Sequence, residues 1–262
     1  MHVAMAVISL TWITVLQLEL LYLNNLILFV FFATVVGYNF VKYFGVAKTH
    51  HRRLTGSLHS IQWFTILALV AMCYFGLRLG FNTLVVLGVL ALITFLYAIP
   101  ILPMRLFRDQ QKNLREISGL KIYLIALVWT LTTVVLPVVE SGIDLSSDIL
   151  ILGVQRFVFV IVLMLPFEIR DLNYDSLKLA TIPQKIGIRK TKIIGVVLML
   201  LFFLSDYFKD ELDGNSIITT CIVVFFTVLF LIFSKKKQSK YYTAFWIEGL
   251  PIFWLFVLLV FR

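Results

Sequence analysis

Long apolar runs alternate with short polar linkers along the whole chain. Nine runs approach the ~20 residues that a helix needs to cross a bilayer. They cover roughly residues 3–21, 24–44, 60–79, 82–101, 119–139, 147–169, 192–207, 215–234 and 243–261. The apolar–polar alternation of a transmembrane barrel does not occur, and backbone polar groups in lipid must be satisfied within each segment. The pattern predicts an all-α integral membrane protein, a bundle of about nine transmembrane helices.

Composition agrees with this prediction. The chain is 61% hydrophobic, against roughly 45–50% apolar residues in a soluble domain, and its mean hydropathy is +0.98. The linkers are brief, so residues 1–262 are predicted to form a single transmembrane domain. The first run has no basic leader and is too long for a cleavable signal peptide. Because the apolar run starts as early as Val3, we expect that a short basic leader precedes it and is missing from the sequence.

Basic residues mark one side of the membrane. Most of the 23 Lys and Arg lie in the linkers after the second, fourth, sixth and eighth runs, while the linkers after the fifth and seventh runs are rich in acids. Because Lys and Arg favour cytoplasmic loops, we predict a multi-pass protein of the cell (inner) membrane with a cytoplasmic N-terminus and an outside C-terminus. The net charge of +9 reflects this topology. No basic soluble face suggests nucleic-acid binding.

Three acids stand at the end of the sixth run, just after Pro166, which is expected to bend the helix. Glu168, Asp171 and Asp175 are spaced i, i+3, i+7, which places them on one helical face. Like charges at this spacing repel, and acids near a helix C-terminus oppose its dipole. A cation would relieve both effects, and oxygen ligands suit Mg²⁺ or Ca²⁺. From the residues alone, a metal–phosphate site and a plain polar cap both stay open.

Other charged residues near this level have separate interpretations. Arg105, Lys185 and Arg189 flank the acidic motif on the same predicted face, so we expect them to contact phosphate. Arg156 lies about four helical turns from Asp171, too far to share a metal, and is interpreted as a structural or cavity residue. Glu248 is expected to pair with a basic linker or to line the cavity.

The order of these features resembles the UbiA-type membrane prenyltransferases over nearly the whole chain. Their second acidic motif, D-x-x-D-x-x-x-D, is similar to "EIRDLNYD", with Glu168 for the first Asp, and their T-L-P-x-x-L-G-like segment is similar to "TIPQKIG". "YAIPILPMRLFR" looks like the family's Y-x-x-P-P-x-R-x-K, with Tyr97, Pro100 and Arg105 carrying the likeness. "LREISGLKIYLIALVW" is similar to the entry of the fifth helix.

This resemblance implies a fold and a function. The family has nine helices and transfers an isoprenyl group from its diphosphate to a lipophilic acceptor, using Mg²⁺. It implies that Glu168, Asp171 and Asp175 are the catalytic and metal-binding residues, and that Tyr97 lies near the site. The expected partners are a prenyl diphosphate, a lipophilic acceptor and membrane lipid.

The chain departs from the family at the first acidic motif. The pattern N-D-x-x-D-x-x-x-D would fall on "NFVKYFGVA", where Asn39 is kept but Phe40, Tyr43 and Ala47 replace the acids. Half of the family's metal ligands are therefore absent. This leaves one Mg²⁺ site more plausible than two.

Two explanations fit the departure. In the first, a single Mg²⁺ on the second motif suffices, and Lys42, Arg52 and Arg53 neutralise the diphosphate where the other metal would bind. In the second, catalysis is lost and the protein binds an isoprenoid lipid or a partner. We favour the enzyme. A small transporter is a third hypothesis, supported only by Arg156 and Glu248, because transport sites usually lie near the midplane.

Overall fold

The computed structural model describes residues 1–21, 23–47, 56–98, 119–172, 180–210, 214–239 and 241–262. These ranges contain nine apolar helices and no strand. We number the helices in chain order: α1 (His2–Gln17), α2 (Asn24–Ala47), α3 (Gly56–Gly76), α4 (Phe81–Ala98), α5 (Leu120–Ser141), α6 (Ser147–Asp171), α7 (Ile182–Phe208), α8 (Gly214–Phe233) and α9 (Tyr242–Phe261). The prediction of an all-α bundle of about nine helices is confirmed.

The apolar runs locate the helices to within a few residues, with one larger error. Within the described ranges, six helices are long and apolar enough to span a membrane, namely α2 and α5 to α9, and α1, α3 and α4 contribute shorter apolar stretches. The predicted seventh run began at residue 192, but α7 begins at Ile182. The extra turns carry the polar sequence "PQKIGIRKTK", which hydropathy alone assigns to a linker.

Helix α6 lies at the centre of the bundle. It packs against α5, α7 and α8, while α1 packs against α2, α5 and α9. The most apolar window of α6 is 61% buried, against 28% for α7 and α8. Its residues Phe159 to Leu165 form the middle of the main hydrophobic core, together with side chains of α1, α5, α7, α8 and α9. Pro166 lies inside α6, which continues to Asp171. The first two acids of the motif, Glu168 and Asp171, therefore lie in the last turns of the best-anchored helix of the described structure.

Two helices contain a wide turn of π-helix beside a proline. In α5 the π segment is Leu131–Val135, which ends two residues before Pro137, and in α9 it is Tyr242–Ile247, which ends four residues before Pro251. Proline lacks a backbone N–H, and its ring clashes with the carbonyl four residues earlier in a regular helix. A wider turn removes this clash, and π segments are frequent at functional sites.

Arg156 is fully buried in the middle of α6. Its Nη2 donates to Thr14 Oγ1 at 3.1 Å, and its guanidinium carbon lies 5.0 Å from the ring centroid of Trp254. Among the described residues, Nε and Nη1 have no hydrogen-bond partner. The contacts agree with the interpretation of Arg156 as a structural residue that ties α6 to α1 and α9.

Candidate functional site

Residues of three helices make up the electrostatic surroundings of the Tyr38 hydroxyl. Tyr38 belongs to α2, Arg170 lies in the last turn of α6, and Glu248 follows the π segment of α9. Glu248 and Arg170 both contribute to these surroundings, after the larger effect of burial. Tyr38 directly precedes Asn39, where the first acidic motif of the resembling family would begin.

Arg170 holds the carboxylate of Asp171 in a bidentate pair. Its Nε donates to Oδ1 at 2.7 Å, and its Nη2 donates to Oδ2 at 3.1 Å. Its guanidinium carbon lies 5.4 Å from the ring centroid of Phe167. The two side chains of the pair are 28% and 24% exposed. The charge of Asp171 is thus neutralised within the protein, by a pair that solvent and solutes can still reach.

The π segment of α9 supplies a third partner for Arg170. Its Nη1 donates to Thr243 Oγ1 at 2.5 Å, and Thr243 is fully buried. The carbonyl of Thr243 accepts the N–H of Glu248 at 3.1 Å, five residues later, as a π-helical turn requires. The wide turn therefore places a buried hydroxyl of α9 against the last turn of α6.

Glu168 joins the end of α6 to the start of α7. It is 3% exposed, and its Oε2 accepts the N–H of Ile182 at 3.2 Å. Beside it, Gln184 Oε1 accepts the N–H of Thr181 at 2.9 Å. The first N–H groups of a helix have no partner within the helix, and a carboxylate there is also favoured by the helix dipole. In the described structure, Glu168 thus acts as a cap for α7.

Gly187 is the last residue of the "TIPQKIG" segment, and its backbone conformation requires a glycine. Its φ of 79° and ψ of 160° lie in a region that is essentially restricted to glycine, and they bend α7 after its first turns. A Cβ at this position would meet no atom within 4 Å, so the requirement comes from the backbone alone. The bend separates the capped start of α7 from its membrane-spanning part.

Asn39 lies beside a cavity between α1, α2 and α3. Its Nδ2 donates to Thr65 Oγ1 at 2.9 Å. The cavity has a volume of about 200 Å³, and apolar residues such as Val35, Ile61 and Phe64 line it together with Tyr38 and Asn39. This apolar space thus borders the polar side chains of Tyr38 and Asn39 on α2.

The structure describes the positions of some of the predicted site residues and not of others. Glu168 and Asp171 lie in the last turns of α6, and Asn39 lies on α2 beside the cavity. Tyr97 is partly buried one residue before the end of α4, and Lys185 and Arg189 are exposed on the first turns of α7. Lys185 reaches the start of α5, since its Nζ would lie 3.9 Å from a Cβ on Gly119. Outside the described residues lie Asp175, Arg52, Arg53 and Arg105, and the side chain of Lys42.

The sequence did not single out Arg170, Thr243 or Tyr38 as site residues. Arg170 was visible inside the acidic motif, but neighbouring residues do not face each other on a helix. The pair nevertheless forms in the last turn of α6. Thr243 carries no signal in the sequence, since its position depends on the π turn.

The described residues fit Mg²⁺ in part. Asp171 offers oxygen atoms and is partly exposed, and Mg²⁺ commonly takes one or two carboxylates with water and phosphate. Glu168 fits less well, because it is buried and already accepts a backbone N–H. Within the described ranges no three His, Cys, Asp or Glu residues form a metal-binding group. The acidic motif would supply a second carboxylate from Asp175, which lies outside the described residues.

Comparison with known structures identifies the fold. No profile of a known protein family and no curated protein matches the chain. The structure matches the apo structure of a UbiA homolog from Aeropyrum pernix K1 with a TM-score of 0.69 and 12% sequence identity, over 98% of this chain and 96% of that chain. The chain therefore has the UbiA-type helical fold, with several helices long and apolar enough to cross a membrane.

Proposed function

We propose that the protein transfers an isoprenyl group from a prenyl diphosphate to a lipophilic acceptor at the ends of α2 and α6. The bond between the prenyl carbon and the diphosphate oxygen breaks, and the diphosphate leaves with the bonding electrons. A nucleophilic atom of the acceptor bonds the prenyl carbon and loses a proton. The observation that carries the proposal is the partly exposed Arg170–Asp171 pair at the end of α6, in a UbiA-type fold whose α2 lines an apolar cavity.

The acids of α6 would have two roles. Asp171, together with Asp175, would hold one Mg²⁺, and this ion would supply positive charge that stabilises the leaving diphosphate. Glu168 would act as a positioning residue, because its hydrogen bond to Ile182 fixes the start of α7 against α6. Asn39 would orient a phosphate or a water from α2 through its amide.

Basic residues would bind the phosphates from several sides. Lys185 and Arg189 are exposed on α7, next to the helix that ends in Asp171. We assign the same role to Arg105 and place Lys42, Arg52 and Arg53 where a second metal would otherwise bind. Fixed cations stabilise a charge that develops on a leaving group because they need no reorganisation. Tyr97 would lie at the edge of the substrate cavity.

We propose that this site faces the cytoplasm and that the C-terminus lies outside. The distribution of Lys and Arg among the linkers supports this orientation. Reporter tags after residues 55, 110, 180 and 238 should then be cytoplasmic, and tags near 143 and 211 should be outside. An outside position for the tag at 180 would contradict the orientation.

The direct test follows diphosphate release. Purified protein is incubated with labelled prenyl diphosphates of several chain lengths, with and without Mg²⁺, and with a lipid extract as the source of acceptor. We expect Mg²⁺-dependent release by the wild type, and loss of most of this release in Asp171→Asn. Release at the uncatalysed rate with every chain length would contradict an enzyme.

A second candidate function is binding of an isoprenoid diphosphate lipid without transfer. It is favoured by the pairing of Arg170 with Asp171, which neutralises this acid within the protein, and by the missing acids of the first motif. Tight binding of the labelled lipid without release of diphosphate would support this candidate.

A further inference from the structure

The half of the site formed by α2, α3 and α4 has no carboxylate. No Asp or Glu occurs between Glu19 and Asp109, a stretch that contains all three helices. A second divalent cation would lack acidic ligands there, since carboxylates are the usual protein ligands of Mg²⁺. Positive charge toward a diphosphate on this side would then come from cations of the protein.

Arg170 is the described cation that is best placed to supply this charge. Its guanidinium is fixed at Nη1 by the buried hydroxyl of Thr243, and its charge contributes to the electrostatic surroundings of Tyr38 on α2. The other two hydrogen bonds go to Asp171, which is partly exposed. One edge of the guanidinium is thus anchored, while the other is bound to a group that a solute can reach.

We propose that Arg170 is an exchangeable cation. In the free protein it neutralises Asp171, and when a diphosphate binds it transfers its Nε and Nη2 hydrogen bonds to phosphate oxygens and leaves Asp171 to a divalent cation. A guanidinium binds carboxylate and phosphate with the same bidentate geometry, so the exchange replaces one strong pair by another. This inference rests on the proposed function, because it assigns the diphosphate to the same site.

The exchange predicts changes of opposite sign in a variant that lacks the charge. In Arg170→Gln the carboxylate of Asp171 is uncovered, so Mg²⁺ should bind more tightly when no phosphate is present. The same variant should bind diphosphate more weakly, because a charged bidentate contact is lost. An arginine that only supports the fold would change both affinities in the same direction or change neither.

The test measures two affinities by calorimetry on the purified protein. One titration uses Mg²⁺ alone, and the other uses inorganic diphosphate with a chelator and no metal. For Arg170→Gln we expect about tenfold weaker diphosphate binding and at least about threefold tighter Mg²⁺ binding. Arg170→Lys keeps the charge without the planar fork, and should fall between the wild type and Arg170→Gln for diphosphate.

Two further variants serve as controls. Lys236→Gln removes an exposed positive charge in the linker after α8 and should leave both affinities unchanged. Thr243→Val removes the anchor of Nη1 and should weaken diphosphate binding less than Arg170→Gln does. It also serves as a test if Arg170→Gln does not fold.

The outcomes separate this inference from the proposed function. Equal or parallel changes of the two affinities in Arg170→Gln would overturn the exchange, even if the wild type releases diphosphate from prenyl substrates. Opposite changes without any release would support the exchange and contradict prenyl transfer. Failure of the wild type to bind inorganic diphosphate would overturn the exchange as well.

Discussion

Helix α6 carries two arginines whose surroundings differ in almost every respect. Arg156 is fully buried, makes one hydrogen bond to a side chain, and has two nitrogen atoms without a partner among the described residues. Arg170 is 28% exposed and makes three hydrogen bonds, two of them to a carboxylate. Burial and unpaired nitrogen atoms identify Arg156 as part of the packed interior. Arg170 is partly exposed, and its carboxylate partner Asp171 can be reached by another cation. Arg170 is therefore the arginine that can take part in chemistry.

The largest expected effect is a loss of stability in the buried surroundings of Arg156. Trp254 is 2% exposed, and its ring packs edge-on against Phe159 and Phe202 beneath Arg156. Trp254→Ala should lower the free energy of unfolding by about 3–5 kcal/mol, because it leaves a large cavity in the core. Denaturation in detergent measures this loss. Diphosphate affinity below the unfolding transition should stay at the wild-type value, and a tenfold loss would mean that the two regions are coupled.

A smaller loss is expected at Gly187, which supports the site through the bend of α7. Gly187→Ala should cost about 1–3 kcal/mol, since its backbone conformation is open essentially to glycine alone. The matched control is Gly153→Ala in α6, where a Cβ meets no atom within 4 Å and the backbone is helical. That control should be neutral or stabilising by up to about 1 kcal/mol. Equal melting temperatures for the two variants would contradict the role of the bend.

Glu168 separates the capping function from metal binding. Glu168→Gln should lower stability by about 1–2 kcal/mol without any metal, because a buried charge-assisted hydrogen bond to Ile182 N–H becomes neutral. Glu140 makes a comparable bond to the N–H of Gly80 but is less buried, so Glu140→Gln should lose less. If Glu168→Gln keeps its metal-free stability and loses only Mg²⁺ affinity, Glu168 is a ligand and not a cap.

The smallest effect is expected for Arg156 itself. Arg156→Met removes a buried charge with unpaired nitrogen atoms and keeps most of the volume, so stability should change by no more than about 1 kcal/mol. Thr14 keeps a partner, because its hydroxyl also donates to the carbonyl of Leu10 at 3.2 Å. Thermal unfolding measures the change. A loss of several kcal/mol would show that the guanidinium contributes more than its described contacts suggest.

The fold could be predicted from the sequence because crossing a bilayer constrains both length and composition. Eight of the nine predicted runs begin within four residues of a described helix, and the exception is the start of α7. Hydropathy detects the part of a helix that meets lipid. It does not detect the turns of α7 between Ile182 and Lys192, whose stability comes from Glu168 and Gln184 at its start.

The site was predicted less completely than the fold. Spacing along a helix placed Glu168 and Asp171 on one face, but their partners depend on where α6 ends and how α7 and α9 approach it. A contact between Arg170 and Thr243, 73 residues apart, leaves no pattern in a single sequence. The spacing predicted repulsion between these acids. In the structure, Arg170 instead pairs with Asp171, and the N–H of Ile182 pairs with Glu168.

We propose that the end of α6 binds Mg²⁺ and a prenyl diphosphate through Asp171. The most direct test of this binding is the melting temperature of the wild type, Asp171→Asn and Asp175→Asn, each with and without both ligands. We expect the ligands to raise the melting temperature of the wild type, since binding to the folded state stabilises it, and neither variant to gain this increase. The same ligand-induced increase in all three proteins would rule out binding through Asp171 and leave the acids as a polar helix end.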